Sequence, residues 1–75
     1  MIVDSFKIDS DSDVTELLRR TFPFSLVTTH QCDDGKWLSV AQQPSGNFIA
    51  SGGAEDAHGA RMALVHTLVM RLGVR

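Results

Sequence analysis

Residues 24–53 read FSLVTTHQCDDGKWLSVAQQPSGNFIASGG, and this stretch decides the fold. Phe24 to Gln31 alternates and is rich in valine, threonine and phenylalanine, side chains that suit a pleated surface. Asp33-Asp34-Gly35 then signals a hairpin, because glycine readily takes a positive φ. Trp37 to Gln43 is the returning strand, and Pro44-Ser45-Gly46-Asn47 makes the next turn. Phe48 to Ser51 is the third strand of the meander, and Gly52-Gly53 is expected to end it.

Beyond the meander, about Ala54 to Leu72 has the spacing of the longest helix. Glu55 and Asp56 fall in its first turn and Arg71 in its last, as the helix dipole favours, and Gly73 follows as the C-cap. At about 100° per residue Ala57, Leu64, Val65, Leu68 and Leu72 share one apolar face, which should cover the sheet. Met62, Ala63, Val69 and Met70 form a second apolar strip. A helix apolar on two sides is normally buried on two sides, and one small domain offers one sheet. Met62, Val69 and Met70 are therefore expected to serve self-association, most simply in a two-fold homodimer.

Before the meander, Asp9-Ser10-Asp11-Ser12-Asp13 loads the approach to a shorter helix over residues 12–21. Asp13 with Glu16 three residues later has the form of a capping box, and Val14, Leu17, Leu18 and Phe22 lie at helical spacing. Pro23 stops that helix, because the residue before a proline avoids the helical region. Ile2 to Ile8 reads as a short strand with Ile2, Phe6 and Ile8 on one face. The whole is one α+β domain over residues 1–75, (β)αβββα, with an antiparallel sheet of three to four strands and the long C-terminal helix packed on it.

A domain of this length has a thin core, and Cys32, its one cysteine, excludes an internal disulfide. A lone thiol fits a reducing compartment. No run approaches the roughly 20 apolar residues that span a bilayer, and the start lacks the pattern of a secretory signal. A cytoplasmic protein with no membrane role is the expectation.

The net charge of −2 is unevenly spread. Up to Gly35 stand Asp4, Asp9, Asp11, Asp13, Glu16, Asp33 and Asp34 against Lys7, Arg19 and Arg20; from Lys36 on stand Glu55 and Asp56 against Lys36, Arg61, Arg71 and Arg75. No basic stripe exists to neutralise a run of phosphates, which argues against nucleic acid as the main partner. Asp9, Asp11, Asp13, Asp33 and Asp34 are instead expected to form an acidic surface that enters a basic groove on a partner protein.

The chemical alternatives are thin. His30 and Cys32 share a strand face, but nothing supplies an orienting group or an oxyanion site. His30, Cys32, His58 and His66 lack the paired spacing of a zinc site. The aspartate run resembles the start of a calcium loop, yet Val14 and Arg20 stand where that loop needs glycine and glutamate. Gly52-Gly53 precedes a helix without the lysine of a phosphate-binding loop. No catalytic residue, cofactor or metal is expected, and the chain is read as a binding protein, not an enzyme. Trp37 is read as core or half-buried sheet surface, with a binding anchor as the alternative.

Two resemblances follow from the layout. Gly52-Gly53 and Ala60-Arg61-Met62-Ala63-Leu64 resemble the third-strand end and last helix of the double-stranded RNA-binding domain. That family's pair of RNA-contacting lysines falls here at Ala57 and His58, with Glu55 and Asp56 beside them, so its RNA binding does not carry over. Trp37-Leu38-Ser39-Val40-Ala41, Ser51-Gly52-Gly53 and Arg61-Met62-Ala63-Leu64 resemble small phage and prophage αβββα sandwich proteins from residue 37 to the end. Small phage proteins of this kind include anti-CRISPR inhibitors. The resemblance implies a protein-binding inhibitor of a bacterial defence or host complex that acts by occupying a surface. The alternative is a small oligomeric structural or regulatory module associated with nucleic acid.

Overall fold

The computed structural model describes residues 8–74. The elements are α1 (Asp11–Leu18), β1 (Leu26–Gln31), β2 (Trp37–Gln42), β3 (Phe48–Ala54) and α2 (Ala57–Met70). The three strands form an antiparallel sheet in the order β1-β2-β3. The chain is thus an α+β domain with its long C-terminal helix on the sheet. The strand expected over Ile2–Ile8 lies outside the described residues except for Ile8, whose side chain is buried.

Both hairpins use one device. Cys32 N–H donates to the Lys36 carbonyl at 2.7 Å, and Gln43 N–H donates to the Asn47 carbonyl at 2.9 Å, so each pair closes a three-residue loop. The last loop residue is a glycine with positive φ, Gly35 at 88° and Gly46 at 91°. A turn of this kind followed by a left-handed residue matches the strand twist.

The sheet has one covered face. Val27, Ala41 and Ala50 lie in register across it, as do Thr29, Ser39 and Gly52. These are small side chains, and α2 lies across β3 and β2 above them while α1 lies along β1. Leu64, Val65 and Leu68 of α2 and Val14, Leu17 and Leu18 of α1 close the core between the layers. Burying each leucine contributes roughly 1.5–3 kcal/mol. The other face, with Leu26, Thr28, His30, Leu38, Val40 and Gln42, carries no helix of the described residues.

The boundaries differ from the sequence expectation in instructive ways. The capping box sits three residues earlier than Asp13 and Glu16: Ser10 is the N-cap of α1, and Asp13 returns its carboxylate to the N-cap N–H. The helix ends at Leu18, because Arg20 and Thr21 N–H bond carbonyls only three residues back. The strand expected from Phe24 begins at Leu26, since Phe24 holds a φ of 66° in the turn after Pro23. Gly52-Gly53 does not end β3, which continues through both glycines to Ala54. Asp56 is the N-cap of α2, with its carboxylate accepting from Gly59 N–H at 2.6 Å. Gly73 has the expected positive φ of 68°, and Val74 N–H donates to the Leu68 carbonyl at 3.0 Å, folding a buried valine back under the helix end.

Candidate functional site

The edge of the sheet along β1 is built first by α1. Thr15 Oγ1 accepts from Val27 N–H at 3.1 Å, and Asp11 Oδ2 accepts from Thr29 N–H at 3.1 Å. Arg19 Nε donates to the Ser25 carbonyl at 2.8 Å. Successive turns of one helix thus occupy the outward backbone groups of the strand. Asp11 also accepts from the Thr29 hydroxyl, which bonds Ser39 Oγ at 2.8 Å, and from Arg61 Nε at 2.9 Å. One carboxylate therefore ties α1, β1 and α2 together, and through Thr29 reaches β2. Burial works against its charged form. The Thr29 hydroxyl, the Arg61 guanidinium with its charge, and the Thr29 N–H outweigh that and hold its pKa below the ordinary value.

This accounts for two of the five aspartates expected to meet a partner. Asp11 faces inward to Thr29 and Arg61, and Asp13 is held by the N–H groups of Asp9 and Ser10, which keep its pKa low. Asp9, Asp33 and Asp34 are exposed. Asp34 also accepts from Lys36 N–H at 3.0 Å within the turn. Of the residues expected to serve self-association, Met62 and Val69 are half-buried against the core cluster, and Met70 is 67% exposed.

The bonds between α1 and β1 run in opposite chain directions, so the start of α1 lies at the same end as the β1–β2 turn. Ala54 pairs with Trp37 at that end, and α2 starts there too. Asp9, Asp33, Asp34, Glu55 and Asp56, distant in sequence, converge on this end, where Lys36 is the exposed base among the described residues. The opposite end holds Arg19, Arg20 and Arg71. It also holds every large exposed apolar side chain among the described residues: Phe24 (80%), Leu26 (55%), Phe48 (65%), Met70 (67%) and Leu72 (40%). The described residues thus present an acidic end and an opposite end of arginines and apolar side chains.

The other sheet edge lies between these ends. Because Val27 and Thr29 point their N–H groups at α1, their even-numbered neighbours bond β2, and the odd-numbered residues of β2 bond β3. Ser39 with Gly52 and Ala41 with Ala50 are thus the bonded pairs. Ser51 and Gly53 direct their N–H and C=O groups outward, where no element of the described residues covers them. Beside this edge a groove of about 330 Å³ is lined by Phe48 to Ser51, Thr67, Arg71 and Leu72. At the other end of β3 a cleft of about 440 Å³ runs between Trp37, Leu38, Gly53 and Glu55.

Among the described residues, no group of three or more His, Cys, Asp or Glu side chains is placed to hold a metal ion. No helix among them is long and apolar enough to cross a membrane. His30 is exposed, Cys32 half-buried and Trp37 half-buried. Sequence reasoning missed the β3 edge, because Gly52-Gly53 read as a terminator. The signal was present in the small size and lack of charge of Phe48–Ala54. No protein family, curated protein or solved structure matches this chain.

Proposed function

We propose that the chain is a protein-binding inhibitor of the small phage type, which blocks a bacterial defence or host complex by occupying its surface. The observation that carries this reading is the segregation of exposed groups into an acidic end and an end of arginines and large apolar side chains. Such separation suits recognition, since a one-signed patch steers association and desolvated apolar anchors hold the complex. The acidic end, with Asp9, Asp33, Asp34, Glu55 and Asp56, complements the basic grooves of complexes that handle nucleic acid. The resemblance of Trp37-Leu38-Ser39-Val40-Ala41 and Ser51-Gly52-Gly53 to phage sandwich proteins supports the choice of target class.

The test is phage plating on a panel of bacterial hosts that each carry one nucleic-acid-directed defence complex. Expression of the chain is expected to restore plating on at least one host. The combined Asp9→Lys, Asp33→Lys and Asp34→Lys variant is expected to fold normally by circular dichroism and to lose the restoration. Restoration unchanged by the triple reversal refutes the role of the acidic end. No restoration on any host, with tight and steeply salt-dependent binding to RNA or DNA, refutes the inhibitor and favours the nucleic-acid-associated module.

A further inference from the structure

We propose that β3 is a docking edge for an extended segment of a partner protein, added antiparallel to it, with a carboxylate beside Arg71 and a cationic side chain beside Glu55. This rests on the reading of the chain as a protein-binding module and names a second contact of that module, a sheet edge that meets its acidic end at Glu55.

The backbone states the class of ligand. Outward N–H and C=O groups on Ser51 and Gly53 are two residues apart, the repeat that an incoming strand matches with its own alternate residues. Proteins normally blunt such an edge with lysine, proline, or a covering helix. Phe48–Ala54 contains no proline and no charge, and its single irregularity lies at the start, where Ala41 and Gln42 pair with Ala50 and Phe48. The β1 edge of the same sheet is covered by α1, so an exposed edge is not a general property of this small domain. Ser51 and Gly53 are also small enough for another backbone to approach closely.

The antiparallel sense continues that of the sheet, and the side chains around the edge state which charge the partner carries at each end. An incoming strand places one row of side chains over the groove formed by Phe48, Ile49, Thr67, Arg71 and Leu72, which mixes apolar side chains with a hydroxyl and one guanidinium. At the far end it passes the second cleft, whose lining carries the carboxylates of Glu55 and Asp34 against the one base Lys36. β3 runs from the arginine end to the glutamate end. An antiparallel partner therefore enters with its cationic residue first and leaves with its carboxylate, each opposite its complement.

The probe is an acetylated and amidated eight-residue peptide of alternating valine and threonine, with lysine near its N-terminus and aspartate near its C-terminus. It is titrated into the full chain while backbone amide exchange is followed by NMR. Slowed exchange at Ser51 and Gly53 is expected. A peptide with lysine and aspartate interchanged is expected to bind about fivefold more weakly, in line with the small worth of exposed ion pairs. Arg71→Glu should narrow or invert that difference. Ser51→Pro removes an outward donor and should abolish binding; Gly53→Lys, which leaves the β2–β3 bonds in place and sets a charge at the edge beside the peptide's own lysine, should weaken it if the proline variant fails to fold.

Binding that leaves Ser51 and Gly53 exchange unchanged overturns the proposal, as does absence of binding at millimolar peptide. Concentration-dependent protection of the same two amides in the chain alone also overturns it, because a second copy then takes the edge. The peptide assay needs no host complex, so its failure and the failure of the plating assay are separate results.

Discussion

The two edges of the sheet are built from different residues, and the contrast shows what an edge needs to be closed. Along β1 the outward groups meet Thr15, Asp11 and Arg19, polar side chains placed four residues apart on one face of α1. Along β3 the outward groups at Ser51 and Gly53 meet none among the described residues, because α2 sits over the covered face instead of beside the edge. The cause is Gly52. A Cβ there would press on Leu64 N and lie 2.7 Å from the Ala63 carbonyl carbon. Its absence lets α2 settle directly onto the strand, too far inward to cap it.

That contact gives the largest expected effect. Gly52→Ala forces backbone against backbone, where no rotamer change can relieve the overlap, so α2 must lift from the sheet. A loss of roughly 3 kcal/mol or more is expected, at or above the upper end of ordinary overpacking. Urea denaturation checks it, and a midpoint within error of the unaltered chain would break the account of how α2 is seated.

Asp11→Ala should come next. It leaves Thr29 N–H, the Thr29 hydroxyl and Arg61 without their shared acceptor, and a cost of about 1–2 kcal/mol is expected in the same assay. The closed edge should open with it: amide exchange at Thr29 should accelerate more than exchange at Ser51, which is already outward-facing. Equal acceleration at both would mean that Asp11 stabilises the domain without closing that edge.

The sequence made the strands and the last helix legible because hairpin glycines and helical spacing are local signals. Gly35 and Gly46 mark their turns through backbone conformation alone. The role of Asp11 was not legible, since its partners Thr29 and Arg61 are 18 and 50 residues away. An aspartate before a helix reads equally as cap, solvated charge or binding surface. The acidic end was half legible: Asp9 and Asp33 could be counted, but their meeting with Glu55 depends on α2 starting beside the β1–β2 turn. Gly52 and Gly53 could not be told apart, because both read as a break and only the packing above them distinguishes one from the other.

Acid should weaken the closed edge gradually. Asp11 and Asp13 both have folded pKa values below the ordinary one. A depressed folded value means that the stabilisation is present above the unfolded pKa, near 4, and is lost as pH falls through the folded value. Thermal stability should thus hold from neutrality to about pH 5 and decline below about pH 4. Asp11→Asn, which cannot titrate there, should lose less over that range than the unaltered chain. A parallel decline would assign the acid sensitivity to other carboxylates.

The smallest effect is expected one residue from the largest. Gly53 is exposed, its φ lies outside the left-handed region, and a Cβ there would meet the Trp37 carbonyl at 3.5 Å and Leu38 Cδ1 at 3.9 Å, both ordinary contacts. Gly53→Ala should therefore change stability by no more than about 0.5 kcal/mol. Loss of glycine freedom in the unfolded chain should favour the folded state slightly. The same methyl stands on the uncovered face and leaves the outward N–H and C=O in place, so binding of the valine–threonine peptide should persist. This separates the two glycines by role: Gly52 exists for the helix above it, and Gly53 for the space beside the strand. If Gly53→Ala proved as costly as Gly52→Ala, the uncovered side of β3 would have to be packed against something, and the contrast between the two edges would fail.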